Sequence, residues 1–340
     1  MARSELTIDL GAVRRNVRTL LRVLDGAELW AVVKADGYGH GAADVGRAAL
    51  DAGATALCVA TVAEGSALRP VAGDARILVM GPSGEDDVAE ARAARLELAV
   101  PDGRLPEGVP LHLKLDTGMG RWGLSELPSP GREVVGLMSH LASADCDPEF
   151  TETQIERFAR SVEGLPPSLM RHLANSAGAL RFPAARLDAA RCGIAIYGLS
   201  PFGTDPADDG LEPALRWESR LAQVKALQPG ESTGYGRVYV AERPTWIGIV
   251  PVGYADGFRR DLRGTAVLVD GEPRPVVGTI SMDAFAVELE RELPAGTPVT
   301  IVGPGAPAEA HARVAGTITY ELVCGINRSA DRARRVVVDA

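Results

Sequence analysis

The sequence predicts an α/β chain in which a (β/α)₈ barrel, the TIM barrel, is followed by a mostly β domain. Two observations lead to this prediction. In the first two thirds of the chain, short apolar runs alternate with alanine- and arginine-rich helical stretches, as in a parallel sheet with crossover helices. Farther along, β-branched or alternating runs are separated by Pro and Gly turns, which favours an antiparallel sheet.

Eight apolar runs are the candidate barrel strands. The first, Leu29–Val33, is too short for a globular helix and rich in β-branched residues, which favours a strand buried on both faces. The eight runs are Leu29–Val33, Ala56–Ala60, Arg76–Met80, Leu96–Val100, Leu111–Leu115, Val134–Ser139, Leu169–Leu173 and Arg186–Arg191. The predicted helices include Ala12–Leu24, Ala42–Ala52, Glu85–Ala94 and Thr153–Glu163.

The second domain is predicted to begin after an acidic, loop-like stretch near residue 213. We therefore expect the barrel over residues 1–213 and the β-rich domain over residues 214–340. Its predicted strands include Ala222–Leu227, Arg237–Ala241, Trp246–Val252, Ala266–Val269, Ala284–Leu289 and Val299–Val302. No helix is predicted in this domain before Thr319–Cys324.

Composition excludes several classes of function. A net charge of −9 over 340 residues disfavours nucleic acid as a partner, because phosphate binding needs a basic face. No run of eighteen apolar residues and no hydrophobic signal core is present, so we expect a cytoplasmic protein without a membrane segment. The four cysteines are widely spaced, without a Cys-x-x-Cys pair, and we expect no structural or catalytic metal.

Lys34 stands out because the chain contains only two other lysines among 36 basic residues. It directly follows Leu29–Val33, at the end of the first predicted strand. A desolvated lysine can lose its proton, whereas arginine cannot. Such an amine forms Schiff bases with carbonyls, including the aldehyde of pyridoxal phosphate. The alternative is an ordinary lysine that flanks a strand and reaches solvent.

Other polar residues also follow predicted strands, where a barrel has its active site. They are Asp116 and Arg121 after the fifth strand, His140 after the sixth, Asn175 and Ser176 after the seventh, and Arg191 and Gly193 at the end of the eighth. The last two loops often bind phosphate, for which the Ser176 hydroxyl and the N–H groups of Gly193 and Ile194 are candidates. His172 can instead be a core polar residue, and Lys114 a member of an ion pair.

Two motifs resemble those of the alanine racemase family. Residues 31–41, AVVKADGYGHG, resemble its pyridoxal-phosphate signature, and residues 112–123, HLKLDTGMGRWG, resemble its second motif. Further motifs follow in family order at residues 172–176, 191–198, 232–236, 253–257, 281–283 and 320–321. The resemblance covers nearly the whole chain and implies an isomerase that interconverts L- and D-alanine with pyridoxal 5′-phosphate, a source of D-alanine for peptidoglycan.

The resemblance implies two catalytic bases. Lys34 would bind the cofactor covalently and serve as one base, and Tyr235 would be the other. Racemisation needs two groups on opposite faces of the α-carbon, one to remove a proton and one to return it. Since a tyrosine is a weak base near neutral pH, the resemblance gives His140 the contact that tunes Tyr235.

The remaining roles are implied in the same way. Arg191 would face the pyridine nitrogen with His172 as its hydrogen-bonding partner, and an arginine that keeps its proton would suppress transamination. Arg121 would lie near the substrate carboxylate, and Lys114 matches a lysine that is carbamylated in many members. The implied phosphate contacts are Tyr38, Ser176, Gly193, Ile194 and Tyr320. The implied contacts at the substrate entrance and carboxylate are Tyr254, Met282 and Asp283.

The resemblance also implies a homodimer with shared active sites. Its partner chain would supply five side chains to each site, namely Tyr235, Tyr254, Met282, Asp283 and Tyr320. The chain departs from the family pattern at Gly37, Gly234, Ser281 and its C-terminus, which leaves substrate breadth open. Alternatives are a broad-range or serine racemase, a barrel-type decarboxylase, which would carry an acidic residue where Arg191 stands, and a non-catalytic pyridoxal-phosphate-binding protein.

Overall fold

A computed structural model describes residues 3–340, which divide into two compact units. The barrel unit comprises residues 12–202 and 206–212. The β-rich unit comprises residues 3–11, 203–205 and 213–340.

The predicted eight-stranded barrel is confirmed, and its parallel strands close in chain order. Barrel strands 1 to 8 are Glu28–Val32, Ala56–Val59, Arg76–Val79, Glu97–Val100, Leu111–Lys114, Val134–Met138, Met170–His172 and Ala189–Cys192. Barrel strand 8 begins three residues later than predicted, because Leu187 has a φ of 50° and interrupts the extended backbone. Barrel strands 2 and 5 are buried along their whole length, as expected for strands covered on both faces.

Helices connect most of the barrel strands. They are Lys34–Tyr38, Ala42–Asp51, Val62–Ala72, Glu85–Ala93, Pro148–Val162 and Ser176–Arg181, and the helix Leu10–Leu24 precedes barrel strand 1. The helix Val62–Ala72 begins with a capping box, in which the Thr61 hydroxyl accepts from the Glu64 N–H and the Glu64 carboxylate accepts from the Thr61 N–H. The longest crossover helix begins after Asp147, whose carboxylate accepts from the Phe150 N–H. Both caps satisfy N–H groups that have no partner within the helix.

The β-rich unit is built on a nine-stranded, mostly antiparallel sheet. In sheet order its strands are Gln223–Leu227, Thr245–Val250, Phe285–Leu289, Glu272–Val277, Ala266–Val269, Pro298–Val302, Leu215–Arg220, Ser4–Asp9 and Ala333–Val338. A separate ribbon pairs Ser232–Thr233 with Tyr239–Val240. The mostly β character predicted for the C-terminal part of the chain is therefore confirmed.

The strand Ser4–Asp9 differs from the predicted division of the chain. It pairs antiparallel with Leu215–Arg220 and parallel with Ala333–Val338, so residues 3–11 belong to the β-rich unit and not to the barrel. Its burial alternates, with Leu6 and Ile8 facing the core, which is the pattern of a strand with one covered face. All of residues 1–213 were assigned to the barrel because no strand was predicted in this short segment.

Further local differences occur in the β-rich unit, where the strands Leu215–Arg220, Glu272–Val277 and Ala333–Val338 are also not among the predicted ones. A helix over Ala308–Ala315 was not predicted, although Pro307 precedes it and Gly316 ends it with a φ of 64°, which are common helix boundaries. The predicted strand Arg237–Ala241 is reduced to Tyr239–Val240, because Gly236 and Arg237 have positive φ angles in a tight turn. The predicted helix Thr319–Cys324 is present.

Within residues 3–340, no helix combines the length and the apolar character needed to cross a membrane. The same residues contain no group of three or more His, Cys, Asp or Glu side chains arranged to hold a metal ion.

Candidate active site

Lys34 lies two residues after barrel strand 1 and begins a turn of unusual backbone. Ala35, Asp36, Gly37 and Tyr38 all have positive φ angles between 51° and 63°. Each non-glycine residue in this conformation costs about 1–2 kcal/mol, so other contacts must hold the turn. The Ala35 N–H donates to the Glu64 carboxylate at 2.8 Å, and the Asp36 carboxylate accepts from the Ala42 N–H at 2.9 Å. These bonds stabilise a strained turn beside Lys34, as is frequent at functional sites.

The turn places Tyr38 against the loop that follows barrel strand 8. The Tyr38 ring is buried and stacks on Tyr197 with 5.0 Å between ring centroids. A Cβ atom at Gly193 would lie 2.4 Å from the Tyr38 hydroxyl oxygen, so only glycine permits this approach. The Ser176 hydroxyl accepts from the Gly193 N–H at 3.0 Å. The structure therefore brings together Tyr38, Ser176 and Gly193, three of the predicted phosphate contacts, and buried Ile194 follows directly.

Arg191, on barrel strand 8, is buried and has four of its five N–H donors engaged. Nη1 donates to Nδ1 of His172 at 2.7 Å and to the His172 carbonyl at 2.8 Å. Nη2 donates to the carbonyls of Ser139 and Leu173, and its contact with Nδ1 of His140 is 3.3 Å. The remaining donor, Nε–H, is buried without a partner among the described residues. A buried donor without an acceptor is costly, so this atom fits an acceptor supplied by a ligand.

A row of buried hydrogen bonds continues from Arg191 through the barrel. Nε2 of His172 lies 2.8 Å from Nδ1 of His112, and Nε2 of His112 lies 2.8 Å from the Glu97 carboxylate. The other Glu97 oxygen accepts from Nε of Arg76 at 2.8 Å. These five residues lie on barrel strands 3, 4, 5, 7 and 8, and we call them the barrel relay.

Burial controls the ionisation of the relay and of its neighbour His140. Burial, together with the charge of Arg191, lowers the pKa of His172 and of His140 well below the usual value. Burial also lowers the pKa of His112, although its hydrogen bond to Glu97 opposes this effect. The pKa of Arg191 falls to about 10 for the same reason. At neutral pH the imidazoles are therefore neutral and Arg191 remains a cation.

Lys114 ends barrel strand 5 and is buried among cations. Burial and the charges of Arg191 and Arg121 lower its pKa to about 8. Its Nζ lies 5.5 Å from the centroid of the Trp122 ring, and within residues 3–340 it forms no salt bridge, although the charge of Asp116 opposes the fall in its pKa. Arg121 lies on the exposed loop after the strand, with its guanidinium 5.1 Å from the same ring.

The predicted site residues of the β-rich unit are mainly exposed. The exposed fractions are 73% for Tyr235, 51% for Met282 and 42% for Tyr254. Tyr320 is partly buried in the helix Thr319–Cys324. Asp283 pairs with Arg332 at 2.6 Å within the unit. The backbone carbonyl of Tyr235 accepts from the Thr279 hydroxyl at 2.9 Å, so the tight turn presents its phenol outward.

Three residues of the barrel relay, His112, Glu97 and Arg76, are not among the site residues predicted from the sequence, although His112 opens the second family motif. Glu97 lies in an otherwise apolar strand segment, residues 96–100, and this single carboxylate is the signal that could have singled it out. Arg76 opens barrel strand 3, and its guanidinium also lies 5.1 Å from the centroid of the Trp30 ring.

Comparisons with known proteins agree over the whole chain. Residues 8–201 match the model of the alanine racemase N-terminal domain, and residues 214–335 match that of the C-terminal domain. Alanine racemase of Geobacillus stearothermophilus is 41% identical, over 94% of this chain and 90% of that protein. Alanine racemase 1 of Bacillus subtilis is 39% identical, over 96% and 91%. The chain belongs to the alanine racemase family.

Solved structures of alanine racemases show the same fold. The enzyme from E. faecalis has a TM-score of 0.90 at 35% identity, over 99% of this chain and 98% of that one. The biosynthetic enzyme from Pseudomonas aeruginosa has a TM-score of 0.91 at 35% identity, over 99% and 100%. Pyridoxal phosphate is the cofactor of this family. Its ring nitrogen is an acceptor that suits the Nε–H of Arg191, and the close approach of Tyr38 to Gly193 lies where the phosphate contacts were predicted.

Proposed function

We propose that this chain interconverts L- and D-alanine with pyridoxal 5′-phosphate in a two-base reaction carried by Lys34 and Tyr235. The observation that carries the proposal is the buried guanidinium of Arg191, which has only its Nε–H left to donate. A decarboxylase of this architecture would place a carboxyl group here. A fixed cation that keeps its proton suits a reaction that returns the proton to Cα.

When bound, pyridoxal phosphate supplies an aldehyde that condenses with amines and a ring that withdraws electrons from Cα. Lys34 would hold the cofactor covalently and, once the substrate amine has replaced it, move a proton at Cα on one face. The Tyr38 and Ser176 hydroxyls, with the N–H groups of Gly193 and Ile194, would hold the phosphate. Tyr320 would complete that cradle.

Arg191 would donate its Nε–H to the ring nitrogen without transferring the proton. Its charge survives burial, since its pKa of about 10 remains above neutral pH. His172 would hold the guanidinium in place through the 2.7 Å bond at Nη1. These residues would therefore limit charge delocalisation and suppress transamination.

Tyr235 would move the proton at Cα on the opposite face. We propose that the Tyr235 phenol enters the site of a second copy of the chain in a homodimer, with Tyr254, Met282 and Asp283 at the entrance. The large exposed fractions of Tyr235 and Met282 support this role, because both side chains are accessible to a second chain. His140 would contact the phenol and tune it as a base.

Lys114 is proposed as a carbamylated residue that holds Arg121 near the substrate carboxylate. An amine reacts with carbon dioxide only when it is neutral, and a pKa of about 8 gives a sizeable neutral fraction at neutral pH. The carbamate would replace a buried cation by an anion among Arg191 and Arg121. That exchange removes the repulsion by Arg191 and Arg121 that adds to burial in lowering the pKa of Lys114.

Incubation of the holoenzyme with L-alanine, D-alanine, L-serine and L-lysine in D₂O tests the reaction. We expect both alanine enantiomers to racemise with deuterium incorporated at Cα. Faster conversion of serine than of alanine would favour the broad-range or serine racemase. Release of carbon dioxide from lysine would favour the decarboxylase, and a stable cofactor complex without exchange would favour the non-catalytic binding protein.

Borohydride reduction followed by peptide mapping tests the role of Lys34. We expect the reduced cofactor on Lys34, and we expect Lys34→Ala to lose the Schiff-base absorbance and nearly all activity. Lys225→Ala is the matched control because Lys225 is exposed on a strand of the β-rich unit. An unmodified Lys34 in the reduced holoenzyme would contradict the assignment.

A further inference from the structure

The hydrogen bonds of the barrel relay have a direction, which Arg191 and Glu97 determine. Arg191 can only donate hydrogen bonds, and an ionised Glu97 can only accept them. Glu97 accepts from Arg76 through one oxygen and from His112 through the other. His112 must therefore carry its proton on Nε2.

The same reasoning determines which nitrogen of His172 carries the proton. With its proton on Nε2, His112 has a bare Nδ1 that accepts from Nε2–H of His172 across 2.8 Å. The Nδ1 of His172 is then bare and accepts from Nη1–H of Arg191. Each of the two imidazoles thus donates at one nitrogen and accepts at the other.

We propose that Glu97, which is hydrogen-bonded to Arg76, is a positioning residue that sets the tautomers of His112 and His172. In these tautomers His172 accepts from Nη1 of Arg191, and the Nε–H of Arg191 stays available to the cofactor. Glu97 acts through three intervening hydrogen bonds and touches no reacting atom. Its effect on cofactor binding rests on the proposed function, whereas the tautomers can be measured independently of it.

Gly136 provides a second observation that the relay is built into the barrel. This residue lies on barrel strand 6, between the strands that carry His112 and His172. A Cβ atom at Gly136 would lie 2.1 Å from Nδ1 of His112. Only glycine therefore leaves room for the bond between the two imidazoles to pass over strand 6.

Trp30 covers the relay from barrel strand 1. Its ring centroid lies 4.5 Å from that of His172 and 5.8 Å from that of His112. Both histidines are fully buried, so water does not replace a lost hydrogen-bonding partner. A change of tautomer at His112 must therefore be matched by a change of tautomer at His172. The solvent-facing end is Arg76, whose side chain is 30% exposed.

Glu97→Gln tests the direction of the relay, because an amide has one donor group and one acceptor. Because Arg76 can only donate whereas an imidazole can change tautomer, the new amide oxygen should accept from Arg76, so that the amide NH₂ group faces Nε2 of His112 and forces the His112 proton onto Nδ1. His172 must then accept at Nε2 and carry its proton on Nδ1, where it meets the Arg191 donor. We expect this reversal to weaken binding of pyridoxal phosphate about tenfold.

Arg76→Gln combined with Glu97→Gln should restore the direction. In the double variant, the amide oxygen introduced at position 76 lies where Nε of Arg76 was, and it accepts from the amide NH₂ group introduced at position 97. The amide oxygen at position 97 is then turned to His112, as the carboxylate was. A residue with a merely structural role would give an additive loss in the double variant, whereas the relay predicts recovery.

The measurement is the protonation of each histidine nitrogen, read from two-bond ¹H–¹⁵N correlation spectra of ¹⁵N-histidine-labelled protein, with the dissociation constant for pyridoxal phosphate measured on the same samples. Glu28→Gln is the matched control, since Glu28 accepts from Nε1 of Trp30 but not from a histidine. We expect Glu28→Gln to leave both histidine tautomers unchanged.

The wild-type spectrum decides the proposal even if a variant fails to fold. A proton on Nε2 of both His112 and His172 supports it, and a proton on Nδ1 of either overturns it. An unchanged His172 tautomer in Glu97→Gln, or no recovery in the double variant, also overturns it. Failure of alanine racemisation with the expected tautomers would contradict the proposed function alone.

Discussion

The two units carry their candidate residues in opposite ways. In the barrel unit, Arg191 and His172 are buried and bonded to several partners from neighbouring strands. In the β-rich unit, Tyr235 and Met282 extend from tight turns and are more than half exposed. The barrel fixes its chemical groups by its own interior, whereas the β-rich unit presents its candidate groups to solvent. This difference is the structural basis for proposing a shared site.

Mixing two inactive variants should produce the largest effect. Lys34→Ala and Tyr235→Phe should each abolish racemisation, because each removes one of the two proton carriers. In a mixed dimer, one site would combine the intact Lys34 of one chain with Tyr235 of the partner subunit. After random exchange of subunits, activity should recover to about a quarter of the wild-type value, measured as the rate of D-alanine formation.

The control for this experiment is a mixture in which Tyr239→Phe replaces Tyr235→Phe. Tyr239 donates to Glu288 within the β-rich unit at 2.9 Å, so the Tyr239→Phe chain should be active alone and mixing should add nothing beyond dilution. If the mixture of Lys34→Ala and Tyr235→Phe stayed inactive while subunits demonstrably exchanged, each site would be made from one chain only.

The contrast between the units also explains what the sequence could predict. The eight barrel strands were predictable because each lies in a short, mainly apolar run, a pattern set by burial on both faces. The N-terminal strand Ser4–Asp9 was missed because its partners Leu215–Arg220 and Ala333–Val338 are distant in sequence. A strand whose partners are so distant leaves only a weak signal in its own sequence. Here that signal is the alternation of apolar Leu6 and Ile8 with polar neighbours.

Candidate site residues were predictable where a single polar side chain lies at or just after the end of a strand, as Arg191 and Lys34 do. The left-handed turn at residues 35–38 was not predictable, because Ala35 and Asp36 rarely adopt positive φ angles and depend on Glu64 and Ala42 to do so. Glu97 was missed for a related reason. Its role depends on which residues of other strands it meets inside the barrel.

Lys114 offers a smaller test, specific to the barrel interior. Its pKa falls from 10.5 to about 8 on folding, so between these values the unfolded chain binds more protons than the folded one. The contribution of Lys114 to the stability of the wild-type protein should therefore rise with pH over this window, and the destabilisation caused by its buried charge should be complete below pH 8. Lys114→Met should not show this rise, and the difference in Tm should change by about 2 °C or more.

These melting curves should be recorded in buffer depleted of carbon dioxide, so that the amine and not a carbamate is titrated. Lys225→Met is the control, since Lys225 is exposed and should follow the wild-type curve. Added bicarbonate should stabilise the wild-type protein and leave Lys114→Met unchanged. Parallel curves for the wild type and Lys114→Met at every pH would show that Lys114 does not titrate in this range.

The smallest effect is expected at Asp283, which tests whether every predicted residue of the β-rich unit reaches the site. Its carboxylate is half exposed and already pairs with Arg332 at 2.6 Å, so Asp283→Asn should cost less than about 1 kcal/mol in unfolding free energy. Asp256→Asn is the matched comparison. Asp256 is buried, accepts from the Gly253 N–H and lies 3.5 Å from Arg332, so its loss should cost about 3 kcal/mol.

The kinetic constants separate a structural from a substrate-binding role for Asp283. If Arg332 is its principal partner, Asp283→Asn should change the KM for alanine by less than about threefold. A tenfold rise in KM with an unchanged kcat would instead show that the carboxylate contacts the substrate on its way into the site. In that case the exposed surface of the β-rich unit would include Asp283 along with Tyr235 and Met282, and its ion pair with Arg332 would serve to orient it there.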